Sequence, residues 1–142
     1  MDVLSEIEIA RPREHVAAFA CDSDNATRWY VNIKSVVWQT PRPMAVGSRL
    51  EFDAQFLGRW LAYTYEVAEH VPGERFVMST AQGPFPMETT YTFEDAPGGS
   101  RMTLRNRGEP SGFAKVGAPL MERAMRRANN ADLRRLKAIL ET

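Results

Sequence analysis

The sequence holds one cysteine and two histidines in 142 residues, and its 18 Lys and Arg cancel its 18 Asp and Glu. A single thiol cannot close an internal disulfide, so nothing points to an oxidising compartment. His15 and His70 stand alone, with no His-x-x-His or Cys-x-x-Cys spacing, and no metal site is expected. Neither a serine-nucleophile elbow nor a glycine-rich phosphate loop is present, and no cofactor is expected. The zero net charge argues against a polyanionic partner, and no nucleic acid is expected. The N-terminus lacks an apolar run of signal-peptide length, and no stretch approaches the about 18 apolar residues of a membrane span. These absences suggest a cytoplasmic chain. With no repeat, linker or low-complexity segment, residues 1–142 read as one domain.

What is present is periodicity. Residues 3–9 alternate apolar and polar as a half-buried strand does. Pro12 then suits the first turn of a short helix whose apolar face is Val16, Phe19 and Ala20. Asp22-Ser23-Asp24 is rich in capping residues, and a second short helix is predicted to end at Trp29-Tyr30. From 33 to 108 the period is two, punctuated by Pro41-Arg42-Pro43, Gly58, Pro72-Gly73, Gly83-Pro84 and Pro97-Gly98-Gly99, which predicts an antiparallel meander. Beyond Gly112 the period turns helical, with Phe113, Val116, Leu120, Ala124, Ala128, Leu136 and Leu140 as the expected apolar stripe. Pro119 should kink that helix or break its first turn. From Phe113 onward seven basic residues meet three acidic ones, so the helix is basic and the rest of the chain acidic. A solvated helix face explains this, and a partner-binding face is the other option.

Several segments carry a resemblance. They are Ile7-Glu8-Ile9-Ala10-Arg11-Pro12, Trp29, Val46-Gly47-Ser48-Arg49, Val71-Pro72-Gly73-Glu74-Arg75, Tyr91-Thr92-Phe93-Glu94 and Gly98-Gly99-Ser100-Arg101-Met102-Thr103. In this order, over the whole chain, they resemble the START-like, helix-grip superfamily, which includes the polyketide cyclase/dehydrase, lipid-transport and birch-pollen-allergen-like proteins. The resemblance implies an α+β fold: about seven antiparallel strands curved around a long C-terminal helix, with two short helices after the first strand. It also implies a cavity between sheet and helix for a hydrophobic small molecule, whether polyketide-like, aromatic or lipid. Cyclase or dehydrase activity stays open on this basis. So does an interaction role through the basic helix, as in ribosome-associated or chaperone-associated relatives, and so does the choice of monomer or homodimer.

The alternation supplies candidate walls for such a cavity. They are Trp38, Phe52, Phe56, Tyr63, Tyr65, Phe76, Met78, Met87, Thr89, Tyr91 and Asn106, joined by Met121 and Met125 from the long helix, and the resemblance adds Trp29 at the end of the helix pair. Methionine adapts its shape and aromatic rings give flat walls, which suits an apolar ligand. Phe85, in the loop 82–86, is a candidate gate. Glu51, Asp53, Glu66, Glu88 and Glu94 take the polar phase, where pairing with Arg101 and Arg105 is expected. Only the strand-end Glu69 falls on the inner phase, so the cavity is expected to hold tyrosines and an asparagine but no general base.

Overall fold

Along β1 (Asp2–Ile9), Val3, Ser5 and Ile9 turn inward while Leu4, Glu6 and Glu8 face out, as the alternation predicts. The structure, a computed structural model, describes every residue except 57, 81–85 and 110–115, and describes Phe56 by its backbone alone. After β1 the chain makes α1 (Arg13–Ala20), a single 3₁₀ turn (Ser23–Asn25) and α2 (Ala26–Trp29). The Asp22 carboxylate accepts the Asp24 N–H at 3.0 Å and so caps the entry to the 3₁₀ turn. Val16, Ala17, Ala20, Ala26 and Trp29 are the buried side of this pair.

Six strands follow: β2 (Ile33–Trp38), β3 (Arg49–Phe56), β4 (Arg59–Val71), β5 (Arg75–Thr80), β6 (Met87–Ala96) and β7 (Gly99–Gly108). All pairings are antiparallel, in the order β1-β7-β6-β5-β4-β3-β2. Gly73 and Gly98 take φ of 77° and 79°, the left-handed conformation that the tight turns after Pro72 and Pro97 require. Register shifts between Ile33 and Ser35 in β2 and between Val67 and Glu69 in β4 mark bulges, which bend a sheet. The last element is α3 (Ala118–Leu140), and with the curved sheet it makes the helix-grip fold. The core joins Leu133, Leu136 and Leu140 of α3 to Val67, Phe76, Phe93, Met102 and Leu104 of the sheet.

Some expectations need correction. Pro119 does not kink α3: a turn at Gly117 interrupts the helical run just before it, it lies in the first turn of α3, where its missing N–H would have had no helical partner, and the helix then runs unbroken from Ala118 to Leu140. Residues 113–115 lie outside the described residues. The buried face of α3 is Asn129, Asp132, Leu133, Leu136 and Leu140, whereas Val116 and Leu120 are 84% and 67% exposed. Glu69 does not point inward: the β4 bulge flips its phase, and it pairs with Arg75 at 3.2 Å on the surface. Arg101 and Arg105 face β1 and pair with Glu8 and Asp2, while Glu88 pairs with Arg107.

Candidate functional site

Where the sheet curves away from α3 a cavity of about 120 Å³ remains. Such a space compares with a dry engineered cavity of about 150 Å³ that takes a benzene ring, and it is smaller than the roughly 300 Å³ at which drug-sized sites begin. From the strands it is lined by Phe52, Tyr63, Tyr65, Phe76, Met78, Met87, Thr89, Tyr91 and Asn106, and from α3 by Met125. The strand candidates sit together because inward positions recur every second residue on adjacent strands in register: Phe52 faces Tyr63, Phe76 faces Tyr91, and Met78 faces Thr89.

The other candidates lie elsewhere. Trp29 is fully buried behind the wall, its ring 4.1 Å from Tyr30 and 5.7 Å from Tyr91. Its indole N–H has no hydrogen-bond partner among the described residues. Trp38 turns to a separate cleft, where its indole donates to Asp24 at 2.8 Å and Arg42 stacks over the ring at 4.8 Å. Met121 is half-buried on α3 and is not part of the cavity wall. Phe85 and the Phe56 side chain lie outside the described residues.

The cavity also holds polar groups, some from the strands and some that strand alternation could not reveal. Tyr30, just past α2, shares a hydrogen bond with Tyr91 of β6 at 2.5 Å. Two phenols bring two protons and their mutual bond uses one, so the pair has a proton left to donate. Thr89 donates to Asn106 Oδ1 at 2.6 Å across β6 and β7. Asp132 of α3 is 2% exposed, lines the cavity, and accepts the Val31 N–H at 2.8 Å through Oδ1. The expectation of a cavity without a carboxylate is therefore overturned. Asn129, one turn earlier, is 4% exposed, and its Nδ2 has no hydrogen-bond partner among the described residues.

The signal for both residues was in the sequence. Counting back from Leu140 and Leu136 by fours and threes reaches Asp132, Asn129 and Met125 on one face. The expected stripe steps by fours from Leu136 to Ala128 across Asp132 but counts only apolar residues, so it misses Asp132 and the neighbouring Asn129.

Burial dominates the titration of these groups. It pushes the Asp132 carboxyl up to about 7, against the smaller opposing effects of the Val31 N–H and Arg135. Burial, helped by Tyr65, raises the Tyr63 phenol to about 12. Tyr30 and Tyr91 are raised well above the ordinary phenol value, first by burial and partly by the nearby Asp132 charge. The tyrosines are thus donors at neutral pH, and Asp132 is the group poised to exchange a proton. In the second cleft, burial lifts the Cys21 thiol to about 12, which makes it a poor nucleophile. Among the described residues no three His, Cys, Asp or Glu side chains gather as metal ligands. No helix among them is long and apolar enough to cross a membrane.

The sequence model of the family described as polyketide cyclase / dehydrase and lipid transport matches residues 2–141. No curated protein matches the chain in sequence. Among solved structures, the TTHA0849 protein of Thermus thermophilus is similar with a TM-score of 0.84 at 20% identity, over 97% of this chain and 95% of that one. A START superfamily protein of Mycobacterium smegmatis gives 0.84 at 15% identity, over 99% and 97%. The ZhuI aromatase/cyclase of Streptomyces sp. R1128 gives 0.81 at 12% identity, over 97% and 92%. At these identities the likeness concerns the fold.

Proposed function

Since the chain belongs to the polyketide cyclase/dehydrase and lipid-transport family, we propose that it binds a compact, largely apolar ring compound bearing at least one acceptor oxygen. The observation that carries this reading is the Tyr30–Tyr91 phenol pair, with its spare proton, set in a cavity otherwise walled by Phe52, Phe76, Met78 and Met87. Apolar walls supply affinity without direction, and a few placed donors fix orientation. The volume favours a single ring over a long acyl chain. A cyclase- or dehydrase-type step on such a ligand would use Asp132 as proton acceptor, because burial has already brought its carboxyl close to neutral. The exposed arginines of α3 remain a solvated surface in this reading, and nothing among the described residues favours a ribosome or chaperone partner.

Titration with acetophenone and with ethylbenzene, followed by ligand NMR and intrinsic tryptophan fluorescence, tests the proposal. Saturable binding of about one equivalent is expected for both, with the ketone tighter. Replacing both phenols, Tyr30→Phe together with Tyr91→Phe, should remove most of the ketone's advantage, about a factor of ten for one buried hydrogen bond, because either phenol alone keeps one proton to donate. Absence of saturable binding by either compound would sink the reading.

A further inference from the structure

Resting on that cavity reading, we propose that the ligand's oxygen is a hydroxyl that donates to Asp132 Oδ2, so that the site takes a ring alcohol in preference to the matching ketone. The two oxygens of this carboxylate are not equivalent. Oδ1 accepts the Val31 N–H at 2.8 Å, and among the described residues no donor reaches Oδ2. The fully buried side-chain atoms without a partner among these residues are Ser5 Oγ, Arg13 Nε, Trp29 Nε1 and Asn129 Nδ2. Asp132 Oδ2 is not one of them, although the residue is only 2% exposed. It therefore keeps a little accessible surface, and the space that Asp132 lines is the cavity. The bond from Val31 ties the carboxylate to the segment between α2 and β2, so its position is set before any ligand arrives.

The chemistry of Oδ2 selects the group that meets it. A carboxylate withdrawn from water with one hydrogen bond is costly, and burial pushes this one up to about 7. The Arg135 guanidinium, exposed on the same helix, lowers it less than burial raises it. A donor on Oδ2 supplies the missing bond. A hydroxyl does so and stays matched when the carboxyl takes up a proton, because it accepts as well as donates. A carbonyl oxygen only accepts, so it is bonded by the protonated acid and repelled by the carboxylate. An ammonium suits the ionised form alone and would shed its hydration among Phe52, Phe76, Met78 and Met87.

This preference has its own pH signature. Tyr30, Tyr63, Tyr65 and Tyr91 are all raised, as is Cys21 near Tyr91, so these groups keep their protons between about pH 6 and 8. Asp132 is the cavity group that changes protonation there. Rising pH should tighten an alcohol and loosen a ketone. By linkage, the alcohol releases a proton as it binds near neutral pH, and the ketone takes one up.

Acetophenone and the enantiomers of 1-phenylethanol test this, since they differ only in the oxidation state of one carbon and fill nearly the same volume. In ligand NMR titrations of the unaltered protein at about pH 8, one enantiomer should bind about tenfold tighter than the ketone, through a charge-assisted bond. At about pH 6 that preference should fall away. Calorimetry near neutral pH in phosphate and in Tris should show proton release for the alcohol and uptake for the ketone. Asp132→Asn keeps an oxygen for the Val31 N–H but offers the ligand no carboxylate, so it should erase both the preference and its pH dependence. Equal affinities at about pH 8 overturn the inference, as does a preference that survives in Asp132→Asn or ignores pH. Benzylamine binding tighter than the alcohol overturns it in favour of a cation. If ethylbenzene and acetophenone bind and no alcohol preference appears, this inference alone fails; if none of the compounds binds, the cavity reading fails with it.

Discussion

Gly99 illustrates how one missing side chain can hold two strands and a turn together. A Cβ on Gly99 would sit 2.1 Å from the Ile9 carbonyl oxygen and 2.9 Å from both Ala10 Cα and Arg11 N. These are backbone atoms at the end of β1, and they cannot swing aside as a flexible side chain would. Gly99→Ala should therefore destabilise the protein by about 1–3 kcal/mol, as overpacking generally does. Chemical denaturation measures this directly, and an unchanged midpoint would refute the close approach. Ser100 next to it is buried and donates to the Arg11 carbonyl at 3.0 Å, so the hairpin and the start of α1 are locked at one point. Asn129 and Asp132 belong to the same scale. Each breaks an apolar face with a polar group, which is where a binding site departs from the pattern of a core.

Among the elements, α3 departs most from its expected form. Its C-terminal turns are tied down: Lys137 donates to the Glu8 carbonyl at 2.8 Å, and Glu141 accepts the Ala10 N–H at 2.8 Å. Leu133, Leu136 and Leu140 are buried against the sheet, while Leu120 near the other end stays 67% exposed. The N-terminal turns thus contribute less apolar burial than the C-terminal ones. Because Pro119 sits in the first turn, Pro119→Ala should shift stability by no more than about 0.5 kcal/mol. An interior proline would give a far larger change, so a thermal melt separates the two placements.

For the whole molecule, the acid–base balance of folding has an unusual contributor in Asp132. Its carboxyl titrates near 3.8 when free and at about 7 when folded, so between these values the folded chain holds a proton that the unfolded chain releases. Stability from this group is greatest below about pH 4 and falls as pH rises toward 7. The difference amounts to at most about 4 kcal/mol. The phenols facing it, Tyr30 and Tyr91, are raised and keep their protons throughout that window. Asp2, Asp24 and Glu141, whose carboxyls are lowered by Arg105, Arg42 and Lys137, act in the opposite sense and only at more acid pH. Asp132→Asn should therefore flatten the stability profile between about pH 4 and 7 and be the more stable form at about pH 8. Denaturant midpoints for the two proteins across this range check it, and parallel profiles would refute a buried, raised carboxyl.

The strand meander, the inner faces of β3 to β7 and the helix-grip order were legible in the sequence, because period two and turn residues are local signals. Nine of the ten strand side chains that line the cavity between Phe52 and Asn106, all but Ala54, are among the walls named from that phase. Where local signals ended, tertiary structure decided. The β4 bulge turned Glu69 out, and the place of Trp38 at the end of β2 set its ring beside Asp24 and away from the cavity. The facing of α3 depended on what the sheet had room to cover: Leu136 and Leu140 of the expected stripe are buried, whereas its upstream members Val116 and Leu120 are exposed. Asp132 follows from this last point. A lone aspartate among arginines reads as solvated until its helix is docked, and docking is a property of the assembled sheet that no single segment encodes.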